Sequence, residues 1–443
     1  MDIGYGLSVM LQRVAGVVAG PTYILRDEFT TEESSNLSSP RTCEPGPGAL
    51  TLVTANSSTF EINADGKLEA FVPTAADAFA EVQIYATDAL TRAANRAFVI
   101  DFDLAAGVGF DPEMFHIQLT TETPPATDAS IQTDATYGIS IFAGNNFRWQ
   151  LYGVYTTRNI QVLTDNTQYE VAFITRSAGV FILLDGIMAY ATTKGTDATY
   201  TPIVAHNVTG AKHDYFRVVD INTDATPILS EVSDSFVRAD STNIGSTDGL
   251  GSEEDAVENL VWNEVIGGVQ IVSNALVTDN LVSRPNLVVV APTSEPATQC
   301  IESVWNADSS GSRIFTNVMD YKDSSNYREV GVSGTNLYWR ETVGGTTFNR
   351  RATAHGGISD NSTLYICSSQ IFENDYHLFM YSTTDAKQKS DAQAMTGYEG
   401  GTGVGLGLFS DNSTKTIGNA YVQSWAAFDS DKTAIDLGTD TDS

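Results

Sequence analysis

Cysteine is nearly absent: Cys43, Cys300 and Cys367 are the three in 443 residues, widely separated. That excludes a disulfide framework; they read as buried free thiols, with a pairing of Cys300 and Cys367 left open. Basic residues are scarce too, 24 Lys and Arg against 55 Asp and Glu, and the net charge of −31 disfavours nucleic acid through repulsion from phosphate. The five histidines, at 116, 206, 213, 355 and 377, show no H-x-H, H-x-x-x-H or H-E-x-x-H spacing, so a transition-metal site has no support. There is no G-x-S-x-G elbow and no phosphate-cradling P-loop. No apolar stretch reaches membrane-spanning length, and residues 1–21 lack a basic leader, carry Asp2 and are broken by Arg13. Sustained helical periodicity is missing except weakly at 88–96 and in that N-terminal segment, which is expected to act as a docking arm, against other subunits or against its own first domain.

Short alternating runs are what the chain does have. LTLVTA (50–55), AFVIDFDL (97–104), MFHIQLT (114–120), YGISIFA (137–143), FRWQLYG (147–153), YEVAFITR (169–176) and VFILLD (180–185) alternate apolar with polar residues, and Gly, Asn, Asp or Pro separates them. RIFTNVMDY (313–321), YREVGVS (327–333), LYWRETV (337–343), TLYICSSQIF (363–372), HLFMYST (377–383) and GVGLGLFS (403–410) repeat the habit. This is an all-β chain, too long for one core.

The chain starts over near its middle. Asp234-Ser235-Phe236 echoes Asp27-Glu28-Phe29 at a spacing of 234 − 27 = 207 residues, the size of a sandwich domain. Gly144 to Trp149 aligns without a gap on Gly334 to Trp339, each set reading as a hairpin turn followed by a Trp at the same distance. The expected organisation is an arm (1–21), a first sandwich (22–225) and a second (226–443), joined near 222–233.

With YEVAFITRSAGVFILLDG (169–186), DYKDSSNYREVGVSGTNLYW (320–339), GVGLGLFSD (403–411) and the two D-x-F openings, the chain resembles tandem concanavalin A-like, laminin-G-like jelly rolls. The resemblance implies paired antiparallel sheets over nearly the whole chain after residue 21, on a fold that hosts lectins, glucanases and structural modules alike. Tandem copies opened by D-x-F and R-A-D-x-x-x-x-G on an acidic chain are also similar to virion proteins of tailed bacteriophages. That likeness implies a non-enzymatic tail, fibre or capsid-decoration component, located in the virion, touching other virion proteins through its arm and host-surface polysaccharide through its domains. A homo-oligomer without cofactor or membrane insertion is expected. A secreted lectin-like protein and a glycoside hydrolase of the same fold are the alternatives.

Sugars stack C–H faces on flat rings and exchange hydrogen bonds with amides and charged groups. Pleating puts Phe147, Trp149 and Leu151 on one face of their strand and Arg148, Gln150 and Tyr152 on the other, with Tyr155 nearby. The second unit offers Tyr338 and Arg340 outward, Leu337 and Trp339 inward. These six, Arg148, Gln150, Tyr152, Tyr155, Tyr338 and Arg340, are the candidate glycan contacts; solvation of a sheet face explains the same pattern. Glu253, Asp255 and Glu258 match E-x-D-x-x-E in form, but Glu254 stands where that hydrolase strand needs an apolar residue, so a solvated acidic loop is expected. Asp320, Asp323 and Asn326 are calcium candidates if their oxygens converge; a capped turn satisfies the same residues without metal.

Overall fold

The computed structural model describes residues 22–31, 37–54, 59–71, 82–86, 89–91, 96–104, 113–121, 135–142, 146–151, 154–155, 161–164, 167–176, 179–185, 187–192, 199–206, 211–220, 232–246, 260–278, 286–290, 299–307, 313–372, 374–385, 387–397, 400–410 and 421–429. The expected N-terminal arm (1–21), residues 222–231 of the joint expected near 222–233, and Glu253, Asp255 and Glu258 lie outside them. Every regular element among the described residues is a β-strand.

Four sheets of nine, ten, eight and seven strands form two facing pairs. The nine-stranded sheet runs Ile187–Thr192, Gly179–Leu184, Gln168–Arg176, Arg96–Leu104, then Phe216–Asp220 and Thr22–Asp27 on one branch. The eight-stranded sheet repeats that order with Lys387–Ala394, Asp375–Ser382, Ser362–Phe372, Gln299–Ala307, Tyr421–Asp429 and Val232–Asp234. Their partner sheets also match strand for strand. In the first, Val154–Tyr155, Asn146–Leu151, Ala135–Phe142, Glu113–Thr120, Thr199–His206, Val82–Tyr85 and Ala49–Thr54 stand side by side. In the second the order is Thr346–Ala354, Asn336–Val343, Asn326–Ser333, Arg313–Asp323, Gly403–Ser410, Asn286–Val290 and Asn263–Ile266. Antiparallel ladders with apolar residues on alternate positions leave each sheet one face to bury, and pairing the faces buries both. Phe98, Phe102, Phe115, Ile117, Ile139 and Phe173 fill the first core; Trp305, Phe315, Val330, Leu337, Trp339, Ile366 and Leu378 fill the second.

The D-x-F echo has a physical basis. In each unit the Asp ends the opening strand and its Oδ1 accepts the amide of the Phe two residues on, at 3.1 Å for Asp27 and Phe29 and 2.7 Å for Asp234 and Phe236. This turn holds Phe29 at φ 52° and Phe236 at φ 55°, a left-handed conformation that a bulky residue adopts only when surroundings enforce it. Both rings are fully buried. The second carboxylate oxygen takes an arginine, Arg41 Nε at 2.6 Å from Asp27 Oδ2 and Arg238 Nη2 at 2.5 Å from Asp234 Oδ2. Burial raises both Asp pKa values against the lowering pull of these partners.

The two sandwiches are packed together rather than strung on a line. The Ser369 hydroxyl donates to Ala189 O at 2.7 Å, the Tyr190 and Phe379 rings meet edge to face at 5.0 Å, and Cys300, Cys367, Phe379 and Ala392 join the first unit's core. Cys300 Sγ and Cys367 Sγ stand 3.7 Å apart, in hydrogen-bond contact and without a disulfide. Of the segment 88–96, where helical periodicity is weak, residues 89–91 and 96 are described, and Leu90–Thr91 is a short strand.

One carboxylate is held against its charge. Asp101 accepts the amides of Asp214 and Tyr215 at 2.8 and 3.2 Å and Gln168 Nε2 at 2.6 Å, yet burial first, and the Asp214 carboxylate second, push its pKa up to about 7. A raised acid pKa means the fold binds a proton more tightly than the unfolded chain, so this group makes the fold less stable as pH rises from about 4 to about 7. Asp101→Asn should melt above wild type at pH 8, with the difference shrinking toward pH 4 in a thermal scan series.

Candidate functional site

Cross-strand partners share a face, so the registers sort the face turned away from each core into rows. On the ten-stranded sheet one row is Tyr85, Ile203, Gln118, Gly138, Gln150 and Tyr155; the next is Gln83, Ala205, His116, Ser140 and Arg148. Arg148, Gln150 and Tyr155 thus hold register positions on one face beside a stripe of amide, imidazole and hydroxyl side chains. Their own side chains, and Tyr152 altogether, lie outside the described residues. Gln83, His116, Gln118 and Ser140 are buried, with His116 Nδ1 2.8 Å from Ser140 Oγ.

The equivalent face of the seven-stranded sheet carries Leu287, Gly407, Thr316, Gly331, Tyr338 and Ala352 in one row and Val289, Gly405, Val318, Glu329 and Arg340 in the next. Thr316 Oγ1 donates at 3.1 Å to Glu329 Oε1, and Arg340 Nη1 stands 3.6 Å from Glu329 Oε2. Gly407 makes room for this: a Cβ there would lie 2.4 Å from Thr316 Oγ1 and 2.8 Å from Glu329 Oε1. Tyr338 is half-buried, while Ala352 and Thr347 beyond it are exposed, so the site opens toward the edge strand and closes toward the sheet centre.

Arg340 departs from the sequence expectation of an open contact. It sits on the outward register, as Tyr338 does, but is only 7% exposed because Glu329 on the adjacent strand draws it down. Glu329, Thr316 and the Gly407 floor were missed. The alternation of YREVGVS turns Glu329 outward, but nothing local marks it as Arg340's partner. Leu337 and Trp339 point inward, and Trp339 Nε1 donates to Tyr376 O at 2.8 Å.

The calcium candidates do not converge. Asp320, at φ 50°, turns into the sandwich, where Arg328 Nη1 reaches its Oδ2 at 2.7 Å and the Tyr376 hydroxyl bonds the same oxygen. Asp323 instead caps a hairpin, accepting Ser325 N at 2.8 Å and Asn326 Nδ2 at 3.0 Å, while Asn326 Oδ1 accepts Gly344 N at 3.1 Å. Among the described residues no group of three or more His, Cys, Asp or Glu is placed to hold a metal ion.

No protein-family model matches the chain, and no curated protein sequence is similar to it. Solved structures resemble parts of it at low similarity. A carbohydrate-binding module, CBM66 from Bacillus subtilis, has 11% identity and a TM-score of 0.29, covering 38% of this chain and 94% of that one. A single-residue variant of human galectin-16 has 9% identity and a TM-score of 0.23, covering 31% and 94%. A xylan beta-1,4-xylosidase from Bacillus halodurans has 11% identity and a TM-score of 0.32, covering 85% and 76%. At these scores the likenesses carry no functional argument; the all-β architecture rests on the strands themselves.

Proposed function

We propose that the chain is a non-catalytic, polysaccharide-binding structural block of a bacteriophage virion. The observation that carries the binding half is the pair Tyr338 and Arg340: a half-buried ring on the outward register beside a guanidinium that the buried Glu329, itself bonded by Thr316 over the Gly407 floor, holds in place. Such a group exchanges hydrogen bonds with sugar hydroxyls while the ring takes an apolar C–H face. Glycoside hydrolysis uses two carboxyl groups about 5–9.5 Å apart across the bond. In the two rows around this site Glu329 is the sole acid, which favours binding over cleavage. The virion setting rests on the doubled D-x-F sandwich, the acidic composition and the packing of the two units against each other, which suits a load-carrying part.

A glycan array probed with the full chain, alongside a reducing-sugar assay on the same polysaccharides, tests this. Binding without release of reducing ends is expected. Release that survives purification to homogeneity contradicts the non-catalytic reading, and an array blank for bacterial surface glycans contradicts the binding reading. Fixed stoichiometry of the chain in purified particles checks the setting.

A further inference from the structure

The strand Thr346–Ala354 adds two arginine ion pairs to its own sandwich but no buried residue, although it pairs with Asn336–Val343 along its length. It ends the seven-stranded order, and among the described residues nothing pairs with its other side. Its counterpart in the first sandwich, Val154–Tyr155, is two residues long and lies against Lys387–Ala394 of the second. The same edge is therefore short and covered in one repeat, long and open in the other. A long open edge presents a row of unpaired amides and carbonyls and is a template for another strand.

We propose that this edge pairs antiparallel with the same strand of a second copy across a two-fold axis, joining two seven-stranded sheets into one. A strand related to itself by a two-fold axis perpendicular to the sheet is antiparallel of necessity, the sense of the ladders already present. The axis position follows from the backbone. Val343 and Thr346 flank the two-residue Gly344-Gly345 turn, so their amides face each other, and alternation turns the N–H and C=O of Thr347 and Asn349 to the open side. The register shift at Arg350 ends the alternation, so both outward residues of each copy are paired when Thr347 faces Asn349 of the partner subunit. That centres the axis on Phe348, which is 42% exposed, and sets it against the partner's Phe348 in the close, non-hydrogen-bonded position. The arginines that would guard such an edge are already neutralised within the chain, Arg350 by Glu341 at 2.7 Å and Arg351 by Asp391 at 2.6 Å. In this register Arg350 lies four residues along from the partner's Arg350, about 13 Å at the strand rise and beyond the screening length in 0.15 M salt.

Light scattering on the full chain from about 1 to 100 μM tests this in mass-action terms. Twice the chain mass is expected at the upper end. Asn349→Pro, which removes an outward amide and no ladder bond of its own sheet, and Phe348→Glu, which sets two like charges across the axis, should each return the monomer with unchanged far-UV circular dichroism. Deuterium exchange at Thr347 and Asn349 should slow with concentration in wild type alone. A chain monomeric throughout the range overturns the proposal, as does a dimer that both variants leave intact.

Discussion

Asp234→Ala is expected to lower the stability of the second sandwich by about 2–4 kcal/mol, since it leaves buried N–H donors unsatisfied at about 1–3 kcal/mol each and unpairs an arginine that stays partly exposed. The substitution takes the carboxylate away from Arg238, from the Trp262 indole N–H that Asp234 Oδ2 accepts at 2.7 Å, and from the Phe236 amide whose bond holds a left-handed backbone. For a domain of about 200 residues, each kcal/mol moves Tm by about 2–4 °C, so calorimetry should show a drop on the order of 10 °C. Asp27→Ala should produce a loss of similar size in the first sandwich, because the Arg41 pair and the Phe29 turn repeat the construction. Asn at either position keeps the oxygen for the Phe amide and should cost less. Two variants without effect on melting would show that the echo is ornamental.

Acid should loosen both sandwiches through one buried histidine each. Burial holds His213 neutral down to a pKa of about 4 and His377 down to about 3. In the first core His213 Nδ1 donates to Asp101 O at 2.6 Å; with His213 neutral, its Nε2 accepts from His206 Nε2 at 2.9 Å. A depressed pKa means the unfolded chain binds the proton first. The stability is whole above about pH 6.5 and drains as pH falls toward the folded value, by up to about 1.4 kcal/mol per pH unit per group. Asp101 works the opposite way over pH 7 to 4, so wild-type curves mix the two. His377→Gln isolates one contribution: its melting temperature relative to wild type should climb as pH falls from 7 to 3.5, by up to about 10 °C. A difference that stays level with pH would mean that His377 is not buried neutral.

Much of the architecture was legible because period-2 alternation and turn residues are local signals. The D-x-F echo was legible for a stronger reason, since an Asx turn that forces a Phe left-handed needs those residue types at that spacing. What stayed hidden depends on long-range partners. Thr199–His206 carries Pro202, which argues against a central strand, yet the missing amide falls where pairing passes from Leu90–Thr91 to Val82–Tyr85. Lys387–Ala394 looks too polar for a strand until Asp391 is seen accepting Arg351 from the opposite sheet. Thr346–Ala354 buries nothing, so no alternation marks it. At the site, alternation set Tyr338 and Arg340 outward, but the burial of Arg340 comes from Glu329 on the next strand, a register fact rather than a local one.

The binding claim is tested most directly by titrating the full chain with the best oligosaccharide found on the array, beside Glu329→Gln and Tyr338→Ala. Charged hydrogen bonds contribute about 1.5–3 kcal/mol, so Glu329→Gln should weaken binding by about tenfold or more, with Tyr338→Ala comparable and melting largely unchanged for the latter. Affinity that both substitutions leave intact would place recognition elsewhere on the molecule and contradict the account.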